Sequence, residues 1–353
     1  MPVADGIRFV FEGEPVPGEL REVAPGVHWL RMPLPFRLDH INLWLLDDGP
    51  GWTIVDTGLN SEDTRQAWER IFATGLDGRP VTRVIATHFH PDHMGLIGWL
   101  TDRWQVDVWT TLAEWAFARL LSLDSSESYM AGVREFYHAA GFDEELLMEL
   151  DERGNAYQKR CGAIPARYHR IRRDDEVLIG GRSWRVMIGR GHSPEHACLY
   201  CEELGVLISG DQVLPRISPN ISVWHQEPDA DPLSLFLDSL PQFHRLPADT
   251  LVLPSHNWPF TGLHARVDEL AHHHDLRLDE TLLACNQPRT GMDLVGILFK
   301  RELDSHQLVF ALGESLAHAH LLRGRGDIDS RAGSDGVNLY SRTSAVVGAD
   351  TSA

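Results

Sequence analysis

The stretch Thr87-His88-Phe89-His90-Pro91-Asp92-His93-Met94-Gly95 places three imidazoles and a carboxylate close together in the chain. It continues the β-branched apolar run of residues 83–87, which predicts a buried strand. Side chains two apart on a strand share a face, so His88 and His90 can point the same way. The proline ends the strand and places Asp92 and His93 on the turn into a helix. Such crowding is costly unless a cation organises it, and imidazole with carboxylate suits zinc, iron or manganese. The spacing predicts one ion at the first pair and a second ion at the other pair.

This motif resembles the signature of the metallo-β-lactamase fold hydrolases, and further elements of that family follow in the expected order. They are Gly191-His192-Ser193-Pro194-Glu195-His196, Ser209-Gly210-Asp211 and Leu253-Pro254-Ser255-His256-Asn257. Upstream, Trp52-Thr53-Ile54-Val55-Asp56-Thr57-Gly58 is similar to the strand and turn that precede the metal motif. The family more often has glycine at the position of Ser255, a departure that leaves His256 in place.

The resemblance implies a complete binuclear metal centre. Its first site would consist of His88, His90 and His192, and its second site of Asp92, His93 and His256. Asp211 would bridge the two ions, and Asp92 and Asp211 would be the catalytic carboxylates. Zinc is the first expectation for both divalent ions, with iron or manganese as the alternatives.

The fold expected from the resemblance and the patterning is α/β, an αββα sandwich over residues 1–262. Residues 7–57 read as its first sheet and residues 171–253 as its second. Residues 111–160 read as three helices, at 111–123, 126–140 and 143–160, that form a helical cap insertion. These helices would either enclose an apolar part of the substrate or simply pack onto the sandwich.

The C-terminal part resembles the winged-helix-like domain that follows the catalytic domain in the lactamase-beta-like, glyoxalase II-like branch of the family. We expect this small helical domain over residues 263–324. The remaining residues, 325–353, are rich in Gly, Ser, Asp and Ala, a composition that predicts a disordered tail.

Composition and charge narrow the classes of function. The chain of 353 residues carries a formal net charge of −19, which disfavours binding to phosphate backbones. The predicted C-terminal domain is also acidic, since residues 263–323 contain six Lys or Arg against nine Asp or Glu. No apolar run is long enough to span a bilayer, and no secretory signal is recognisable at the N-terminus. We therefore expect a cytoplasmic enzyme with a small-molecule substrate, and a homodimer is compatible with the sequence.

The chemistry implied is metal-dependent hydrolysis. Two ions would lower the pKa of a water, and the hydroxide would attack an ester-like carbonyl. A thioester of the acyl-CoA or glutathione type is the preferred substrate, with lactones and other esters in the same class. The alternative is an endoribonuclease acting on single-stranded RNA, because that branch of the family includes such enzymes. A metal-binding scaffold without activity is the non-enzymatic alternative, and the complete ligand set disfavours it.

Four further residues are weaker candidates for substrate contact. His196 closes the loop that carries His192, and the sequence allows it to face the substrate or to support the ligands. Arg216 and His225 lie in a loop after Asp211 that we expect beside the site, where Arg216 could meet an anion or face solvent. His40 is the last of the four.

Overall fold

The computed structural model describes residues 6–343. The chain divides into two compact units. Among the described residues, the first comprises 6–124, 156–219 and 239–267. The second comprises 125–155, 220–238 and 268–343. The predicted helical cap is therefore divided, since residues 125–155 group with the C-terminal helices.

The first unit contains two seven-stranded sheets. One has the order β2-β3-β4-β5-β6-β7-β8. Its strands are β2 (Arg21–Ala24), β3 (Val27–Pro33), β4 (His40–Asp47), β5 (Trp52–Val55), β6 (Val81–Ile85), β7 (Val108–Thr110) and β8 (His169–Arg170). Neighbouring strands from β2 to β5 are antiparallel, whereas those from β5 to β8 are parallel.

The second sheet has the order β1-β14-β13-β12-β11-β10-β9. Its strands are β1 (Arg8–Phe9), β9 (Glu176–Ile179), β10 (Arg182–Gly189), β11 (His196–Cys201), β12 (Val206–Gly210), β13 (Leu251–Pro254) and β14 (Phe260–Thr261). The assignment of residues 7–11 to the first sheet was wrong, because β1 pairs with β14 in this one. Its partner lies about 250 residues along the chain, beyond the reach of local patterning.

The hydrophobic core lies between the two sheets. Trp29 and Trp44 from one sheet share a cluster with Trp184 and Leu199 from the other, and none is more than 2% exposed. Successive side chains of a strand alternate between faces, so one face of each sheet supplies this core. The predicted α/β sandwich is thereby confirmed.

Helices of the first unit complete the sandwich. They are α1 (Glu62–Thr74), α2 (Pro91–Met94), α3 (Ile97–Trp104), α4 (Leu112–Leu123) and α7 (Ala156–Arg160), with a 3₁₀ helix at Leu240–Arg245. Ser61 caps α1, since its hydroxyl accepts a hydrogen bond from the backbone N–H of Thr64.

The second unit is mainly helical. Its helices are α5 (Glu127–Ala139), α6 (Glu144–Arg153), α8 (Pro232–Ser239), α9 (Leu263–Ala284), α10 (Gly291–Leu298) and α11 (Ser305–Arg325), of which α9 begins in the first unit. The single helix predicted over residues 143–160 is broken into α6 and α7. Gly154 has φ +57°, a left-handed value that favours glycine and ends α6.

The predicted disorder from residue 325 onward was wrong as far as Thr343. An antiparallel hairpin, β15 (Ile328–Ala332) and β16 (Asn338–Arg342), follows α11. Ile328 is fully buried and Tyr340 almost so, and Tyr340 also exchanges two backbone hydrogen bonds with Arg289. The buried side chains of Ile328 and Tyr340, together with these backbone hydrogen bonds, order a segment whose composition is otherwise polar. Residues 344–353 of the predicted tail lie outside the described residues.

Within residues 6–343, every helix is too short or too polar to cross a bilayer.

Candidate metal centre

The carboxyl ends of parallel strands bring the ligand loops together. The chain leaves β6 and enters the loop with His88 and His90, and α2 then begins with Asp92 and His93 in its first turn. Strand β6 is parallel to its neighbour β5, and β12 is parallel to its neighbour β13. Asp211 follows β12, and His256 comes two residues after β13. Adjacent parallel strands end at the same edge of a sheet, so each pair presents its loops on one side.

Three imidazoles form the first group of candidate ligands. Nε2 of His88 lies 3.0 Å from Nδ1 of His90 and 3.1 Å from Nε2 of His192. Burial, together with the neighbouring histidines, holds the pKa of His88 and of His90 well below the ordinary value. Both rings are thus neutral near pH 7, the state in which imidazole binds a metal.

A carboxylate and two imidazoles form the second group. Oδ2 of Asp92 lies 3.5 Å from Nε2 of His256 and 3.7 Å from Nε2 of His93. Ligand atoms of these three residues lie within 4.8 Å of one another, as do those of the first group.

Asp211 lies between the two groups. Its Oδ2 is 3.3 Å from Nε2 of His192, whereas its Oδ1 is 3.5 Å from Nε2 of His256 and 3.6 Å from Nε2 of His93. Burial acts to raise the pKa of Asp211, but His256 and His93 outweigh it and hold that pKa well below its ordinary value. One carboxylate thus directs a different oxygen at each group.

The residues fit a pair of divalent cations. Nε2 of His93 and Oδ1 of Asp211 are buried side-chain atoms without a hydrogen-bond partner. Unpaired buried polar atoms are costly, and coordination of a cation would satisfy both. The nitrogen and oxygen donor set is compatible with zinc, iron or manganese and does not select among them.

Asp56 supports the second group through His93, on the ring nitrogen that does not face the other ligands. Its carboxylate accepts hydrogen bonds from Nδ1 of His93 at 2.8 Å and from the backbone N–H of Thr87 at 2.8 Å. The Thr87 hydroxyl also donates to this carboxylate and lies 3.1 Å from Nδ1 of His88. A partner on Nδ1 fixes the tautomer that directs Nε2 at a metal. In the sequence, Asp56 was recognisable as part of a family turn but had no predicted role.

His40 supports the loop that carries His256. Its carbonyl accepts from Nδ1 of His256 at 2.9 Å, and its Nε2 accepts from the backbone N–H of Asn257 at 2.9 Å. Its Nδ1 donates to Asp39 at 2.7 Å, so both ring nitrogens are occupied. Asn42 holds the same loop, since its Nδ2 donates to the carbonyls of Pro254 and Asn257.

His196 also supports the ligands. It is fully buried, and its Nε2 accepts a hydrogen bond of 3.0 Å from the backbone N–H of Asp211. A Cβ on Gly210 would come within 2.4 Å of this ring, and Gly210 has φ +53°. Glycine at this position therefore lets the ring approach the bridging loop. Of the two roles left open by the sequence, the structure favours support of the ligands.

The two remaining candidates do not join the ligand groups. Arg216 is exposed, and its guanidinium lies over the ring of Phe9 at 4.8 Å. His225 belongs to the second unit, where its ring packs edge-on against Tyr129 at 5.0 Å.

Comparisons with known proteins agree with this architecture. Residues 37–256 match the model of the metallo-beta-lactamase superfamily, and residues 278–343 match a metallo-beta-lactamase-like C-terminal domain. The second match ends at the hairpin, which supports its assignment to the C-terminal domain.

Similar proteins come from several bacteria. A beta-lactamase domain protein from Burkholderia ambifaria is 48% identical with a TM-score of 0.89, over 96% of this chain and 98% of that one. A metallo-beta-lactamase family protein from Thermus thermophilus is 29% identical with a TM-score of 0.78, over 91% and 100% of the two chains. A probable metallo-hydrolase of Bacillus subtilis (strain 168) is 24% identical over 85% of this chain and 93% of its own.

With two ligand groups joined by one carboxylate at the edge of a two-sheet sandwich, and with most of the chain matched, the chain belongs to the metallo-beta-lactamase superfamily.

Proposed function

We propose that this metallo-hydrolase is binuclear and hydrolyses ester-like carbonyl compounds, with thioesters of the acyl-CoA or glutathione type preferred. The observation that carries the proposal is the position of Asp211, with one oxygen toward each ligand group. When bound, two divalent ions supply a water of lowered pKa and polarise the carbonyl that is attacked. Zinc is the first candidate for both ions.

The two carboxylates of the centre have different surroundings. The side chain of Asp211 is 9% exposed, whereas that of Asp92 is 21% exposed. Asp92 is therefore the more open to an incoming water or leaving group. We assign to its carboxylate the orientation of the water and the transfer of a proton to the leaving group. The role we assign to Asp211 is to hold the two ligand groups at a fixed distance from one another.

The apolar part of the substrate has a candidate location in the first unit. A cavity of about 270 Å³ lies between α4 and the segment of residues 158–164, with Leu123, Ala163 and Ile164 among its lining residues. Leu123 is 63% exposed, an unusual position for a large apolar side chain. Gln158, which also lines this cavity, follows Tyr157 of α7, whose hydroxyl donates to the carbonyl of Phe89 in the ligand loop. These features support an acyl group as the substrate portion held here.

The alternative of a single-strand endoribonuclease receives less support. The C-terminal domain consists of helices followed by a β-hairpin after α11. We propose that this domain is a winged-helix-like module. Its acidic balance nevertheless disfavours phosphate backbones. A role in packing is the better hypothesis for this domain.

The experiment that tests the function is thiol release from a panel of acyl-CoA and acyl-glutathione thioesters by metal-reconstituted protein. His90→Ala serves as the blank, because it removes one ligand of the first group. Metal-dependent turnover above the blank is expected, with a chain-length profile that reports on the cavity. Absence of turnover across the panel would contradict the thioesterase proposal and direct the assay to lactones, other esters and then single-stranded RNA.

A further inference from the structure

Glu114 is a fully buried carboxylate in the first turn of α4. Buried carboxylates are rare unless something pairs with them. The described hydrogen bonds of this side chain come from two loops, both of which carry candidate ligands. From the sequence, residues 111–123 were expected only to form one helix of a cap, and Glu114 had no predicted role.

One oxygen of Glu114 holds the loop that carries His192. Its Oε1 accepts from the hydroxyl of Ser193 at 2.8 Å and from the backbone N–H of Glu195 at 2.6 Å. Ser193 is the residue next to the ligand, so this contact limits the rotation of the chain at His192.

The other oxygen holds the first ligand loop. Oε2 of Glu114 accepts from the backbone N–H of Phe89 at 2.9 Å, and Phe89 lies between His88 and His90. The carbonyl of Phe89 accepts from the hydroxyl of Tyr157 at 2.6 Å. Both polar groups of this peptide segment are thus fixed.

A second set of contacts joins the start of α4, next to Glu114, to the loop of His192. Oε2 of Glu195 accepts from the backbone N–H of Ala113 at 3.1 Å, and the Thr111 hydroxyl donates to the carbonyl of Glu195. Glu195 thereby takes the place of a capping residue at the start of α4, where a negative charge is favourable. The start of the helix and the loop form one rigid assembly.

We propose that Glu114 is a positioning residue that sets the distance between the His88–His90 loop and the His192 loop, and so determines the metal affinity of the first ligand group. Both loops it joins carry ligands of that group, namely His88, His90 and His192. None of its described hydrogen bonds reaches the loop of His256 or α2, which carries Asp92 and His93. The inference rests on the proposed binuclear centre but not on the thioester substrate.

The test is a competition titration of zinc against a chromophoric chelator, with full-length metal-free protein. Glu114→Gln preserves the shape of the side chain but replaces one acceptor oxygen with an NH₂ group, so one of the two loops loses its partner. We expect one of the two binding events to weaken by roughly 10- to 100-fold, the range for supporting residues of metal sites, while the other keeps its wild-type affinity. Glu69→Gln, at an exposed ion pair with Arg103, is the matched control.

A residue that only packs the fold would behave differently. Glu114→Gln would then lower the melting temperature of the metal-free protein while leaving both zinc affinities unchanged, or it would weaken both events alike, and either result overturns the proposal. Ser193→Ala decides the matter if Glu114→Gln does not fold, because it removes one donor to Oε1 and leaves the backbone contacts in place. Weakening of a single binding event in this variant supports the proposal, whereas two unchanged affinities overturn it. The titration does not measure thioester turnover. Its result therefore stands even if the thioesterase proposal fails.

Discussion

Oδ2 of Asp56 lies 2.8 Å from Nδ1 of His93, and both side chains are almost completely buried. Burial acts to lower the pKa of His93, but the charges of Asp56, Asp92 and Asp211 outweigh it and raise that pKa well above the ordinary value. The excess negative charge around one imidazole is what a divalent cation would neutralise. The contact also directs Nε2 of His93 toward Asp92 and Asp211.

Asp56→Asn should weaken metal binding at the second ligand group. An amide accepts a hydrogen bond less strongly than a carboxylate, and partners of ligating histidines typically contribute 10- to 100-fold to affinity. Zinc competition titrations of metal-free protein would measure the change. Asp77→Asn is the matched control, because Asp77 is exposed and, like Asp56, has a positive φ. Equal affinities for both variants would contradict the role given to Asp56.

His196→Ala should destabilise the protein even without metal. The backbone N–H of Asp211 would lose its acceptor, and an unsatisfied buried donor costs about 1–3 kcal/mol before any cost of the cavity is added. Denaturant unfolding of metal-free protein gives the free energy of unfolding. His272→Ala, at an exposed histidine of α9, should leave it unchanged. A loss no larger than that of the control would show that His196 does not hold the bridging loop.

The hairpin after α11 should contribute to stability through Tyr340. Tyr340→Ala removes a buried ring and should lower the free energy of unfolding by about 3–5 kcal/mol, the range for large aromatic truncations. Tyr340→Phe keeps the ring and loses only the hydroxyl, which lies 3.4 Å from Nε2 of His320, so its effect should be small. Thermal unfolding of both variants would separate the two contributions, and a wild-type melting temperature for Tyr340→Ala would contradict the packing of the hairpin.

The pair His274 and His318 should make stability depend on pH. Burial is the largest cause that lowers the pKa of His274 to about 2 and the pKa of His318 to about 4, and neighbouring groups make smaller contributions to both pKa values. Nδ1 of His318 donates to the carbonyl of Glu314, so its Nε2 accepts from Nδ1 of His274 and both rings are neutral.

An unfolded chain with histidine pKa values near 6.5 binds more protons than the folded one below that pH. The free energy of unfolding should therefore be highest above about pH 6.5 and fall as the pH decreases toward about 4. His318→Gln should reduce this slope by up to about 1.4 kcal/mol per pH unit. Urea titrations of metal-free protein between these pH values measure it, with His272→Gln as the control. An unaltered slope in His318→Gln would count against a neutral buried pair.

The candidate ligands could be named from the sequence because most of them lie in short motifs whose order along the chain is informative. Four of the seven fall between His88 and His93, and strand-end spacing alone suggested their grouping. The supporting residues were missed for a different reason. Asp56 and His93 are 37 positions apart, Glu114 and Glu195 are 81 apart, and local spacing carries no sign of either contact.

Other features depend on surroundings that the sequence does not show. An imidazole near a metal can contact the substrate or support the ligands, and the hydrogen bonds of His40 and His196 favour support. The hairpin was missed because its polar composition outweighed two buried anchors, Ile328 and Tyr340. The strand β1 was misplaced because pairing between distant segments depends on the whole fold.

The binuclear centre depends on Asp211, which we propose to join the two metal sites. The most direct measurement is the metal content per chain of metal-reconstituted wild type and of Asp211→Ala, determined by elemental analysis after removal of free metal. We expect two ions in the wild type and loss of most bound metal in the variant, because each ligand group would lose the oxygen that Asp211 directs at it. Two ions retained in Asp211→Ala, or a single ion in the wild type, would contradict the binuclear assignment.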